Sequence, residues 1–173
     1  LKSFGGAGEK TAYTATTSYF NPKLCKIIYS SYCPKNGTIF DPFSSVVRPY
    51  MAKLLNYNYV GCEVRKDECD KIGEILNTNS LFEESDVRVL NIDCREFETG
   101  QKFDLVFTCP PYWNLETYSE QENDMSSISN YSNFLTEMSK VYSKCSSLMH
   151  DESYCCFVVA DFRDYSEGRK LVN

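Results

Sequence analysis

Histidine is all but missing from this chain of 173 residues, which carries a single one, His150. None of its nine cysteines forms a Cys-x-x-Cys pair, so the short paired spacings of a structural zinc site are not there. Glycine and proline are scarce, at 8 and 6 residues, which excludes collagen-like and low-complexity chains. No apolar run approaches the roughly 20 residues that cross a bilayer, and the start from Leu1 to Gly5 lacks the apolar stretch of a secretion signal. A soluble intracellular protein with no membrane partner is expected. Basic residues are outnumbered, 18 Lys and Arg against 24 Asp and Glu, for a net charge of −6. That balance disfavours coating nucleic acid by charge alone, while leaving room for a local basic cleft.

What is present is an ordinary globular composition, 42% hydrophobic and 24% charged, in a length that suits one domain. The odd cysteine count, and an adjacent pair at Cys155 and Cys156 inside an apolar run, point to reduced, mostly buried thiols rather than a disulfide framework. Residues 1–16 are expected to form a flexible leader and 17–173 the folded domain. The run Gly5-Gly6-Ala7-Gly8-Glu9-Lys10-Thr11 is no phosphate loop, because Glu9 interrupts the pattern and no strand precedes it.

Helical spacing of Leu24, Ile27, Ile28 and Tyr32 predicts a helix from Pro22 to Tyr32. A short β-favouring run, Thr38 to Asp41, stops at Pro42. Then come an amphipathic stripe at Val47, Tyr50, Met51, Leu54 and Leu55 and a second strand over Tyr57 to Val64. A helix from Asp67 to Leu76 precedes strands at Val87 to Asp93 and Phe103 to Thr108. A long helix from Tyr131 to Leu148 leads to a fifth strand, Tyr154 to Asp161, and the acidic stretch from Glu116 to Asp124 reads as a mobile loop. Strands apolar on both sides that alternate with helices predict an α/β, doubly wound, mostly parallel sheet.

In such sheets ligands bind beyond the carboxyl ends of the strands. Those ends read Asp41-Pro42-Phe43-Ser44, Glu63, Asp93-Cys94 and Thr108-Cys109-Pro110-Pro111-Tyr112-Trp113. Glu63, 22 positions after Asp41, can accept hydrogen bonds from both hydroxyls of a ribose. Asp93 could accept from the exocyclic amine of an adenine, and Asp41 could meet a cationic amino group. Each carboxylate taken singly is more often a turn former or helix cap; it is the combination that counts. The two prolines fix the backbone and remove donors, so their carbonyls face outward as acceptors. Tyr112 or Trp113 then offers a flat face for a base rotated out of its helix. A polyproline docking turn is the plainer alternative, although such a motif seldom follows a buried strand directly.

Motif by motif, these residues resemble the S-adenosylmethionine-dependent amino-methyltransferases that act on adenine N6 or cytosine N4 in DNA, with phage-type DNA methylases the most similar. Asp41-Pro42-Phe43 resembles the family's first cofactor motif, Tyr59 to Glu63 its second, Asp93 its third and Cys109-Pro110-Pro111-Tyr112 its catalytic tetrapeptide. Tyr19-Phe20-Asn21-Pro22 resembles the segment that helps enclose the cofactor. The resemblance runs from about Thr17 to Asp164 and implies a Rossmann-like class I methyltransferase sheet, here expected to lack its last strands. It implies S-adenosyl-L-methionine held by Phe20, Asp41, Pro42, Phe43, Ser44, Glu63, Asp93 and Cys94. By the same resemblance Cys109, Pro110, Pro111 and Tyr112 are catalytic, Trp113 binds substrate, and no metal takes part. The implied substrate is duplex DNA with a flipped base, as in restriction-modification, with a second copy or a recognition subunit as partner.

Two departures carry consequences. Cys109 stands where the family has Asp, Asn or Ser, and its sulfur is a weak acceptor, so reduced activity is expected. Because cysteine is nearly isosteric with serine, Thr-Cys-Pro-Pro-Tyr-Trp leans toward cytosine N4 without excluding adenine. The loop Ser44-Ser45-Val46-Val47-Arg48-Pro49 has none of the family's glycines, which predicts weaker cofactor binding or a rebuilt loop. A catalytically silent methyltransferase-like subunit, and a same-fold enzyme acting on RNA or a protein amide, remain as alternatives.

Overall fold

The computed structural model describes residues 20–78, 85–113 and 117–159, with the backbone of 162–164 and 169–171. The expected leader over residues 1–16, the segment at Thr17 and Tyr19, residue Glu116 and the expected strand end at Ala160 and Asp161 lie outside the described residues.

Helix α1 spans Pro22–Tyr32. Pro22 sits in its first turn, where a missing N–H leaves no intrahelical bond unmade, and the Asn21 side chain accepts from the Lys23 N–H at 3.0 Å. Its stop is equally local, since Cys33 precedes Pro34 and is extended, at φ −111° and ψ 132°. There follow β1 (Thr38–Asp41), α2 (Val47–Leu54), β2 (Asn58–Glu63), α3 (Lys66–Thr78), β3 (Val87–Asn91), β4 (Phe103–Thr108), α4 (Tyr131–Leu148) and β5 (Met149–Phe157). A short antiparallel pair, β6 (Phe162–Asp164) and β7 (Arg169–Leu171), ends the series.

The first five strands form one all-parallel sheet in the order β3-β2-β1-β4-β5. Period-two alternation gives this sheet two cores. Ile39, Tyr59, Leu105 and Phe107 pack against Cys25 and Tyr29 of α1 and Met51 and Ala52 of α2. Phe40, Val60 and Val106 pack against Phe134, Met138, Val141 and Cys145 of α4. Strand order reverses between β1 and β4, which places a crevice at their carboxyl ends. Asp41 closes one of these strands and Thr108 the other.

Strand β5 departs from expectation. It begins at Met149, where Phe103 pairs with Met149 and the next paired residue, Leu105, meets Tyr154. Residues 150–153 therefore bulge out of the ladder, and Glu152 takes a left-handed φ of 64°. The regular ladder starts at Tyr154, the expected first residue, but the strand ends at Phe157. As the outermost strand of this sheet it is also largely exposed. The expectation of buried thiols in this run is accordingly corrected: Cys155 is exposed and Cys156 half-buried. All nine cysteines are free, with Cys25, Cys33, Cys62, Cys94 and Cys145 buried among the core side chains. No described helix is long and apolar enough to cross a membrane.

Candidate functional site

A cavity of about 450 Å³ opens at the carboxyl ends of the strands, within the range of roughly 300–1,000 Å³ typical of small-molecule sites. Pro42, Phe43 and Ser44 of the loop after β1 form one wall with Phe20. Glu63 after β2, with Asp93 and Cys94 after β3, forms another. Cys109, Pro110, Pro111 and Tyr112 after β4 close the third. One space thus collects residues that lie up to 138 positions apart in the chain, from Phe20 to Val158.

Asp41 is not on that wall. It is wholly buried, and its two carboxylate oxygens take four donors. Arg48 Nε lies at 2.6 Å and the Tyr59 hydroxyl at 2.5 Å from Oδ2. The Thr108 hydroxyl at 2.5 Å and the Phe43 N–H at 3.1 Å donate to Oδ1. With its acceptor sites filled, Asp41 has no lone pair left for the cationic amino group expected at it. It acts instead as a joint that ties β1 to β2, β4 and α2, fixing the turn that begins after Thr108 relative to the loop after Asp41.

The glycine missing from that loop is supplied by the neighbouring strand. Ser44 N–H donates to the Cys62 carbonyl at 2.8 Å, and Ser44 Oγ lies 3.0 Å from the Tyr59 hydroxyl. This laces the loop directly across Gly61, where an added Cβ would stand 2.6 Å from Ser44 Oγ and 2.8 Å from the Tyr59 ring. Gly61→Ala is expected to cost about 1–3 kcal/mol through overpacking, read as a lower urea midpoint with an unchanged slope. An unchanged midpoint would mean that the loop does not need this close approach.

Glu63 keeps one oxygen open. Its Oε1 accepts from the Arg65 N–H at 2.8 Å and from Arg65 Nε at 3.4 Å, whereas Oε2 has no partner among the described residues. Burial raises the Glu63 pKa above its ordinary 4.5, with Arg65 opposing the rise. The folded chain therefore holds this proton at pH values where the unfolded chain has lost it, and Glu63 weakens folding as pH climbs through that window. A ligand that presented two hydroxyls to Glu63 would need the ionised acceptor, so its binding would run the other way. If Glu63 meets the ribose as the sequence implies, affinity for an adenosine ligand is expected to fall on acidification before an ordinary carboxylate would titrate. Glu63→Gln should bind more weakly at neutral pH and lose this acid limb; a calorimetric profile that keeps its shape in the variant would contradict the assignment.

Asp93 is engaged more fully. Arg95 grips it from its N–H, Nε and Nη2 at 2.9, 3.0 and 2.5 Å, and also reaches Glu137 at 2.5 Å and the Asn123 carbonyl at 3.1 Å. The last of these bonds ties Arg95 to residues 117–124, part of the stretch that was expected to be mobile. Asp124 pins it further by accepting from Ser126 N–H at 2.9 Å and Ser119 Oγ at 2.7 Å. Tyr118, Asn123, Asp124 and Met125 consequently form a fourth side of the cavity.

After β4, Cys109 Sγ lies 3.5 Å from the Tyr112 hydroxyl, which also lies 3.5 Å from the Val158 carbonyl. Of the two aromatic candidates Tyr112 borders the cavity. Trp113 does not: its ring packs 5.0 Å from Tyr131 and joins the core beneath α4, where a large apolar surface gains more from burial than from exposure. Its φ of 45° is a strained value for a bulky residue.

Several wall residues went unread in the sequence. Arg48 shares a helix face with Met51 and Ala52, at spacings of three and four, so a charge inside the buried stripe was the available signal. Arg65 lies 5.7 Å from the centre of the Tyr118 ring. No periodicity marks Tyr118 or Asp124, which reach the cavity through loop geometry.

No family model matches the sequence, and no curated protein matches it. Among solved structures the chain is similar to an rRNA methylase from Streptococcus thermophilus, with TM-score 0.50 and 7% identity over 76% of this chain and 66% of that one. It is also similar to an S-adenosylmethionine-dependent methyltransferase from Clostridium acetobutylicum ATCC 824, with TM-score 0.53 and 11% identity over 84% and 50% of the two chains. A third is the glycopeptide N-methyltransferase MtfA complexed with S-adenosyl-L-homocysteine, with TM-score 0.56 and 8% identity over 77% and 50%. The chain thus spans between half and about two thirds of these structures. Its fold is the Rossmann-like fold of class I methyltransferases: the alternation of strands and helices predicted the doubly wound sheet, and the resemblance implied the methyltransferase type.

Proposed function

We propose that this chain binds S-adenosyl-L-methionine and transfers its methyl group to the exocyclic amine of adenine (N6) or cytosine (N4) in DNA. One observation carries the reading: the Cys109-Pro110-Pro111-Tyr112 turn and the open oxygen of Glu63 border the same cavity, at the switch point of the sheet. The residues fit the cofactor. Glu63 Oε2 is an acceptor awaiting hydroxyl donors, Cys94 and Phe43 offer apolar flanks, and the cavity volume is adequate.

When bound, the cofactor supplies an electrophilic methyl group on a sulfonium. Passing that methyl group to the target amine would form one N–C bond, break one C–S bond with its electrons left on sulfur, and release one amine proton to solvent. The chain's own work is positioning, which suits a reaction of this kind. The Pro110 carbonyl accepts from the amine, drawing its lone pair out of the aromatic ring, and Tyr112 stacks on a base rotated out of the duplex. Cys109 contributes a weak acceptor at best, which predicts slow transfer.

Incubation with labelled S-adenosylmethionine and unmethylated duplex DNA, RNA or protein tests this, followed by mass spectrometry of the nucleosides. Label in N6-methyladenine or N4-methylcytosine from DNA supports the reading; label in RNA or protein alone overturns the substrate while keeping the reaction. Cys109, with its weak sulfur contact to Tyr112, favours a second reading, a subunit that binds cofactor without transferring methyl. Cofactor binding with no label on any substrate would select it.

A further inference from the structure

The nine thiols of the chain differ in their surroundings, and Cys109 stands apart from the other eight. Three of them border the large cavity: Cys62, Cys94 and Cys109. Cys62 and Cys94 are buried in the core, and burial pushes both thiols up, Cys94 to about 12, so they stay protonated and inert. Cys25, Cys33 and Cys145 are buried and do not border the cavity. Cys69 donates to the Val89 carbonyl at 3.4 Å, and Cys155 and Cys156 belong to the outer strand β5. Cys109 alone combines a place on the cavity wall with a sulfur that is not closed into the core.

An independent sign of a ligand comes from the opposite wall. The Glu63 side chain is 9% exposed and borders the same cavity. Its Oε1 is occupied by Arg65, and its Oε2 has no partner among the described residues. Cys109 directly precedes the Pro110 carbonyl, where the acceptor amine is proposed to sit, and its Sγ lies 3.5 Å from the hydroxyl of Tyr112. The sulfur therefore occupies the neighbourhood of the acceptor. An exocyclic amine is a poor nucleophile because its lone pair is delocalised into the ring, whereas cysteine is strongly nucleophilic even through the small thiolate fraction that an ordinary thiol has at neutral pH.

We propose that Cys109 is a self-methylation site, taking one methyl group from a sulfonium donor held in the cavity when no acceptor base is in place. This rests on the cofactor reading above and goes beyond it. The thiol proton leaves to solvent, a lone pair on Sγ forms a new S–C bond to the methyl carbon, and the bond from that carbon to the sulfonium sulfur breaks with its electrons left on the sulfonium sulfur, which becomes a neutral thioether. No oxidant or reductant takes part. The product is S-methylcysteine, which has no S–H left to react and is one methyl group larger beside Pro110 and Tyr112, so it obstructs the acceptor's place and ends further transfer. A hydroxyl at this position does not follow the same course, because it needs an adjacent base to become a nucleophile.

The test is incubation of the full chain with methyl-labelled S-adenosylmethionine and no added substrate, so that label on the chain is not mistaken for label passed to an acceptor, followed by peptide mass spectrometry. The expected result is one methyl group on the peptide that carries Cys109, at least about 10-fold above the exposed Cys155, which reports alkylation without positioning. Excess S-adenosylhomocysteine should suppress the label at Cys109 and leave that at Cys155 unchanged, and Cys109→Ser should remove the first while keeping the second. Calorimetry with S-adenosylhomocysteine on the same sample reads cofactor binding separately. Binding with Cys109 unmodified, or modified no more than Cys155, overturns the proposal while the cofactor reading stands. Label at Cys109 that excess S-adenosylhomocysteine does not suppress overturns it as well, and neither binding nor label ends both.

Discussion

Asp41→Asn is expected to lower the unfolding free energy by about 3–5 kcal/mol, the cost of leaving a buried charge without its counterpart. For a chain of this size that corresponds to a fall in melting temperature on the order of 10 °C. The cause is geometric. Arg48 is buried and pairs with Asp41 at 2.6 Å, and burial alone would lower its pKa, but the Asp41 charge overrides this and raises it. Removing the charge while keeping the shape leaves Arg48 ionised, at 3% exposure, without the carboxylate that offset its desolvation. The same change weakens the joint from Tyr59 and Thr108, so the loop after β1 and the turn after β4 lose their common anchor. Thermal unfolding of the variant measures the effect. A shift of only a degree or two would mean that Asp41 is an ordinary turn residue and that the cavity walls are held by other contacts.

Tyr112→Ala is expected to cut methyl transfer on the order of 100-fold, the scale on which lost positioning acts, while leaving affinity for S-adenosylhomocysteine nearly intact. Tyr112 borders the cavity, and its hydroxyl lies 3.5 Å from both Cys109 Sγ and the Val158 carbonyl. Its ring offers the flat face that stacking a base requires. Tyr112→Phe separates the two: it keeps the ring and should retain most of the activity. If the alanine variant transfers at the wild-type rate, Tyr112 does not stack on the substrate. If it loses cofactor binding in the same proportion, its ring supports the cofactor instead.

How much of this was legible depended on whether the information was local. Helix α1 announced itself through Pro22 and the helical spacing of Leu24, Ile27, Ile28 and Tyr32, all signals within a few residues of one another. The strand ends at Asp41, Glu63 and Thr108 could be read because alternation stops where the chain turns. Long-range partnerships could not. Asp41 looked available for a ligand because nothing near it in sequence reveals that Arg48, Tyr59 and Thr108 converge on it from three other elements. The loop after Phe43 looked deficient because the glycine that admits it sits on β2. Trp113 looked like a platform because its burial depends on Tyr131, 18 residues on. Strand β5 was misjudged for a related reason: an apolar run is equally compatible with a central and an outer strand, and its neighbours decide which.

We infer that the space between Glu63 and the Pro110-Pro111 turn holds an adenosine-bearing sulfur cofactor, and a crystal structure of the chain with S-adenosyl-L-homocysteine decides it. The predicted result places the ribose hydroxyls within hydrogen-bonding distance of Glu63 Oε2 and the sulfur facing Cys109 and Pro110. A ligand bound elsewhere, or this cavity empty at saturating concentration, would contradict it.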